Sequence, residues 1–147
     1  MHSISLTEFA DKINEIVPIM MKEFARIQPQ EIYRGKVTLP QILILQHLIF
    51  NQPLRMTDIA NFMRVSMAAT TGIVDRLVKS GYVIRVFDQN DRRIVKIKTT
   101  AKGVALMKRL ETDRRKSVIN IFGKLSEKDR LDYLRVLMRI KSTLTGV

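Results

Sequence analysis

Between residues 66 and 103 the chain sets two chemically different surfaces in succession, a helix face of small side chains and a hairpin tip of arginines. On a helical wheel at about 100° per residue, residues 66–80 put Thr70, Ile73, Val74, Leu77 and Val78 on one side. Ala68, Thr71, Gly72, Asp75, Arg76 and Lys79 fall on the other. Ala68, Thr71 and Gly72 leave room for close approach to base edges. A methyl of Ala68 or Thr71 can meet a thymine methyl, and the Thr71 hydroxyl can bond a base or a phosphate. Small residues also suit contact with a neighbouring helix, but an exposed mid-helix glycine costs about 1 kcal/mol against alanine, so something other than helix stability favours Gly72. The hairpin tip is Asp91-Arg92-Arg93. Arginine suits a narrow minor groove, where the negative potential is enhanced. Read as adjacent residues of an extended segment, Arg92 and Arg93 point to opposite sides, one for a groove and one for a phosphate or carboxylate. A charged tip alone fits a solvated turn equally well. A helix followed by a basic hairpin can place one element in the major groove of DNA and another in the minor groove.

The elements that must position these residues are legible from caps and periodicity. Ser5-Leu6-Thr7-Glu8 is a capping box, and Leu6, Phe9, Ile13, Ile16, Met20, Phe24 and Ile27 form one apolar stripe behind it. Pro18 should kink this helix, which Gln28-Pro29-Gln30 ends, with a connector over 31–37. Thr38-Leu39-Pro40-Gln41 is a second capping box, opening an almost wholly apolar helix to about Phe50 that should be buried on most sides. Leu54-Arg55-Met56 suits a short strand, and Thr57 a cap for a brief helix from Asp58 to about Arg64. Met63-Arg64-Val65 turns into the helix capped by Ser66, which makes a helix-turn-helix. Residues 82–87 and 93–99 are β-branched runs around a polar turn at 88–92, a hairpin. Thr100 caps a long helix with Gly103 in its first turn, running to about Leu125, and Ser126-Glu127-Lys128-Asp129 opens a last helix to about Leu144.

The chain has 147 residues and a net charge of +12, with 26 Lys+Arg against 14 Asp+Glu. An excess of that size points to a polyanionic partner, because neutralised phosphates release counterions; solubility or an anionic membrane surface are the alternatives. There are no cysteines, hence no disulfides and no thiolate metal sites. The start, Met1-His2-Ser3-Ile4-Ser5, lacks the pattern of a signal peptide, and no uncharged apolar stretch is long enough to span a bilayer. The expectation is a cytoplasmic protein with no membrane partner. His47 lies in an apolar helix and reads as structural, since a metal site needs several ligands; no metal and no cofactor are expected. A phosphate loop, nucleophile elbow or paired carboxylates in a recognisable setting would signal an enzyme, and none is present.

With these pieces in order the sequence resembles the MarR family of winged helix-turn-helix regulators. The resemblance rests on Thr38-Leu39-Pro40-Gln41, on Met56-Thr57-Asp58-Ile59-Ala60, on the run from Thr71-Gly72-Ile73-Val74-Asp75-Arg76 through Leu77-Val78-Lys79-Ser80-Gly81 to Tyr82-Val83-Ile84-Arg85, on Asp91-Arg92-Arg93 and on Thr100-Ala101-Lys102-Gly103. It implies a mainly α fold with a small antiparallel β-hairpin wing, in one domain over 1–147. Residues 38–100 would form the DNA-binding lobe, and 5–28 and 101–147 the dimerisation helices. It implies a homodimer on a pseudo-palindromic operator in double-stranded DNA, with recognition helix 66–80 in the major groove and wing 85–99 in the minor groove. The DNA contacts would come from Ser66, Ala68, Thr71, Gly72, Arg76, Arg92 and Arg93, and Asp91 would brace the wing against Arg76. Position 99, a leucine in the family, is threonine here. Family members bind small anionic or aromatic effectors between the two lobes; the eight methionines would suit such a cleft, or simply fill the core. The apolar positions Leu131, Leu134, Leu137, Met138, Ile140 and Leu144 independently call for a partner surface. The leading expectation is a dimeric, sequence-specific transcriptional repressor released by a small molecule, and two further readings stand beside it. One is a non-specific architectural DNA-binding protein, and the other an interaction module that kept the fold.

Overall fold

The computed structural model describes residues 4–26 and 36–146. Its first helix, α1 (Leu6–Arg26), opens on a complete capping box. Ser5 N–H donates to Glu8 Oε2 at 2.8 Å, and Glu8 N–H donates to Ser5 Oγ at 3.2 Å. The Ser5 backbone donor also holds the Glu8 carboxyl below its ordinary range. The helix runs on through Pro18. Ile27, the stop at Gln28-Pro29-Gln30 and the connector as far as residue 35 lie outside the described residues.

Helix α2 (Leu39–Asn51) starts where Gln41 Oε1 accepts from the Thr38 N–H at 2.8 Å and the Thr38 hydroxyl at 3.2 Å. It supplies the centre of the core through Ile42, Ile44, Leu45 and Leu48. It is not buried on all sides, however: Leu39 and Phe50 stand exposed on the face turned away from the core.

Strand β1 (Leu54–Arg55) runs into helix α3 (Met56–Met63). The cap, Arg55, lies two residues earlier than the expected Thr57. Asp58 is the cause: its Oδ2 accepts the Arg55 N–H at 2.9 Å, which fixes Arg55 as the cap and draws Thr57 into the first turn. Arg64, in the left-handed region with φ 53°, closes α3. Helix α4 (Met67–Lys79) follows, with Ser66 Oγ accepting the Ala69 N–H at 3.2 Å. It ends at Gly81, whose φ of 75° favours glycine, with the Tyr82 N–H bonded to Leu77 O at 2.9 Å.

Strands β2 (Val83–Phe87) and β3 (Val95–Thr99) complete a three-stranded antiparallel sheet in the order β1-β3-β2, so the hairpin gains a third strand. The register runs from Val83 opposite Thr99 to Phe87 opposite Val95. Threonine at position 99 has a specific use: its N–H and hydroxyl both donate to Gln52 Oε1, at 2.9 and 2.6 Å. A leucine could supply only the first of these bonds.

Helix α5 (Ala101–Phe122) is capped by Thr100, whose Oγ1 accepts the Gly103 N–H at 3.1 Å and donates to Gly81 O at 2.6 Å. Gly103 admits no side chain, because a Cβ there would collide with the Tyr82 carbonyl. The helix stops at Gly123, short of the expected Leu125. Helix α6 (Glu127–Thr145) begins at Ser126, whose Oγ accepts the Asp129 N–H at 3.1 Å.

Among the described residues the buried apolar core lies between Val37 and Leu110. Helix α6 buries none of its residues, and Leu131, Leu134, Leu137, Met138, Ile140 and Leu144 are all exposed. The same holds for Leu6, Phe9, Ile13, Ile16 and Met20 on α1. Stacking of Phe24 on Phe122 and of Phe122 on Tyr133 links the terminal helices. Among the described residues no helix is long and apolar enough to cross a membrane.

Candidate nucleic-acid interface

Helix α4 divides as its periodicity requires. Thr70, Val74 and Leu77 are buried, and Ile73 and Val78 pack against the core from its edge. Burying Thr70 carries no unmet polar group, since its hydroxyl donates to Ser66 O at 2.9 Å. On the other side Ala68, Asp75, Arg76 and Lys79 are exposed, while Thr71 and Gly72 are half-exposed. A Cβ built on Gly72 would meet nothing within 4 Å. The Thr71 hydroxyl already donates to Met67 O at 2.8 Å. Without rotation it offers an incoming group only its acceptor lone pairs and its methyl. Ser66 keeps its hydroxyl proton free, because its oxygen acts only as the acceptor in the cap.

The wing loop differs from the extended tip that the sequence suggests. The strands end at Phe87 and resume at Val95, so Arg93 and Ile94 belong to the loop. Two aspartates shape it. Asp88 Oδ1 accepts the N–H groups of Asn90 and Asp91 at 2.9 and 3.3 Å, and its Oδ2 lies 2.5 Å from Lys96 Nζ. Bonding to Lys96 first, and to these two amides next, draws the Asp88 carboxyl down to about 2. Asp91 Oδ1 accepts the Arg93 N–H at 3.0 Å, and the Ile94 N–H closes the turn onto Asp91 O at 2.9 Å. Arg92 and Arg93 thus sit on a turn, not on an extended segment with opposed side chains.

The bracing differs from the family expectation as well. Asp91 holds Arg93 in a forked pair, Nε to Oδ1 and Nη2 to Oδ2, both at 3.1 Å, and this lowers the Asp91 carboxyl. Arg76 is not its partner: its Nε donates to Gly72 O at 3.1 Å, one turn back on its own helix. The short Asp91–Arg93 connection closes locally, without bridging two elements. The link between helix and wing is made instead by Asp75 of α4 and Arg85 of β2, which form an ion pair. Arg85 lies two residues from buried Val83 and opposite buried Ile97, on the sheet face that covers the core, and so reaches back under α4. The alternation Val83, Arg85, Phe87 held that signal in the sequence.

His47 stacks on Phe62 with ring centroids 3.8 Å apart, and Asn51 Nδ2 lies 3.3 Å from its Nδ1. Among the described residues no group of three or more His, Asp and Glu is placed to hold a metal ion. Of the methionines, Met56, Met63 and Met107 pack against the core, whereas Met20, Met21, Met67 and Met138 are exposed. A cavity of about 360 Å³ lies between α2 and α5, walled by Ile49, Phe50, Val104, Met107, Lys108, Glu111 and Arg114 among others.

Comparison with known proteins agrees with this geometry. The pattern that defines the MarR family matches residues 37–95. The HTH-type transcriptional regulator FarR of Neisseria gonorrhoeae is 31% identical over 130 residues, which cover 86% of each protein. YfiV of Bacillus subtilis, described as an HTH-type transcriptional regulator, is 41% identical over 64 residues, 44% of this chain; the match spans 40% of that relative's own length. Among solved structures, a MepR variant of S. aureus bound to an oligodeoxyribonucleotide superposes with a TM-score of 0.66 at 20% identity, covering 92% of this chain and 97% of that one. The combination of fold, motif and similarity over most of its length makes the chain a member of the MarR family of winged helix-turn-helix transcriptional regulators.

Proposed function

We propose that the chain acts in the cytoplasm as a homodimeric repressor that binds a pseudo-palindromic operator and is released by a small anionic or aromatic ligand. The observation that carries this reading is the outer face of α4. Ala68, Thr71, Gly72 and Arg76 lie there with open space over Gly72, on a helix that Asp75 and Arg85 tie to the arginine-bearing wing. In this reading the helix over 66–80 enters the major groove, with Ser66 and Arg76 on phosphates and Ala68, Thr71 and Gly72 against base edges. The wing over 85–99 reaches the minor groove through Arg93, whose side chain is 92% exposed while Asp91 aims it, and Arg92 meets a phosphate. The DNA-bound MepR neighbour supports the choice of partner.

Residues 38–100 form the DNA-binding lobe and 5–28 with 101–147 the dimerisation helices. The apolar faces of α1 and α6 favour a second copy, since beyond the Phe24–Phe122–Tyr133 stack their large apolar side chains stand exposed. Two-fold symmetry would set the two recognition helices about 34 Å apart, one DNA turn. The cavity between α2 and α5 fits the proposed effector. Phe50 and Met107 offer an apolar wall, and Lys108 and Arg114 offer cations for an acidic group.

Selection of bound duplexes from a random pool at near-physiological salt tests the reading. An enriched inverted repeat with half-sites about one turn apart is expected. Tight binding without enrichment would replace it by a non-specific architectural protein, and no binding by an interaction module.

A further inference from the structure

The corner between α3 and α4 holds a residue that the fold alone does not favour. Arg64 has φ 53° and ψ 41°, and among the described residues it is the one non-glycine residue with positive φ. In that region a Cβ crowds the following carbonyl, whereas glycine takes the conformation freely and asparagine tolerates it. The backbone bonding made here, from the Arg64 N–H to Asn61 O at 3.3 Å and to Ala60 O, needs no particular side chain. The Arg64 side chain is exposed and makes no hydrogen bond or ion pair among the described residues. Arg76, Arg85 and Arg93 each hold a partner on the protein. An arginine therefore occupies a corner that penalises it and adds no polar bond to the fold, the kind of local conflict that marks a functional position.

The corner stands two residues before Ser66, the cap of the helix whose first turn faces outward. We infer that Arg64 is a phosphodiester-binding residue, its guanidinium gripping the DNA backbone at the rim of the groove that α4 enters. A guanidinium matches two phosphate oxygens in a fixed fork. Since the protein does not use its donors, binding displaces no internal partner. The contact is independent of base sequence and sets how deep the first turn of α4 sits. This inference rests on the DNA-binding reading above.

The test compares the wild type with Arg64→Asn, Arg64→Gly and Arg64→Lys. Fluorescence anisotropy on a mixed-sequence duplex over a salt series gives the affinities, and thermal melting gives the stabilities. Asn and Gly both relieve the corner, so their melting temperatures should equal or exceed that of the wild type. Their affinity should fall about fivefold to tenfold, and the slope of log affinity against log salt should become shallower by about 0.9, as expected when one phosphate fewer is neutralised. Lysine should keep the slope. Unchanged affinity and slope in both the Asn and Gly variants would overturn the inference and leave the DNA-binding reading standing. Lower melting temperatures alongside weaker binding would also overturn it, because the arginine would then be structural. No binding by the wild type would remove both.

Discussion

Gly72→Ala separates the demands of helix stability from those of DNA contact. The new methyl would meet no atom within 4 Å, so nothing in the fold resists it. Replacing a mid-helix glycine by alanine should add about 1 kcal/mol of stability. For a chain of this size that raises the melting temperature by about 2–4 °C. If α4 lies against base edges with Gly72 at the point of closest approach, the same methyl has to be forced into a filled contact. Overpacking of that kind costs about 1–3 kcal/mol, which corresponds to an affinity loss of about 5- to 150-fold. Calorimetric melting and anisotropy on a duplex enriched from a random pool give the two quantities on one preparation. The expected outcome is a more stable protein that binds worse. A more stable protein with undiminished affinity would refute the placement of Gly72 at the interface. A less stable one would show that the space over Gly72 is filled in the assembled protein.

Arg93→Ala should weaken operator binding by about 1–3 kcal/mol with the sedimenting mass unchanged; full affinity would remove the wing from the mechanism. Deleting residues 126–147 should convert the dimer to monomer by light scattering, and a stable truncated dimer would place the interface elsewhere. The Asp88 carboxyl, ordinarily near 3.8, should titrate near 2 by carbon-detected NMR. Because its value in the folded protein is depressed, ionised Asp88 supports the wing loop above about pH 4, and that support is lost as pH falls toward about 2. An ordinary midpoint would mean that the Lys96 and amide contacts are absent in solution.

Much of the fold and of the candidate interface was legible because it depends on local rules. Ser5, Thr38, Ser66, Thr100 and Ser126 each mark a helix start by side-chain chemistry confined to one turn. The buried face of α4 follows from a period of 3.6, so Thr70, Val74 and Leu77 could be placed without a structure. Misplaced features turned on competition between neighbouring groups. Thr57 is the better cap by residue type, yet Asp58 reaches back to the Arg55 N–H and moves the helix start. Arg93 reads as a strand residue, but the Asp91 carboxylate and carbonyl fold that stretch into a turn. The helix–wing brace escaped because Asp75 and Arg85 meet only after the chain has reversed at Gly81. Threonine at position 99 stood out only as a departure from the family's leucine, because its acceptor, Gln52, lies 47 positions away.

With α4 in the major groove and the wing in the minor groove of one operator, the two elements would leave separable chemical footprints on the DNA. Methylation interference on an enriched duplex tests this arrangement directly, since dimethyl sulfate marks guanine N7 in the major groove and adenine N3 in the minor groove. Guanine methylation should block binding in two clusters about one helical turn apart. Adenine methylation should block it only in the flanks outside those clusters. Guanine methylation without effect, or a single central cluster, would contradict this arrangement.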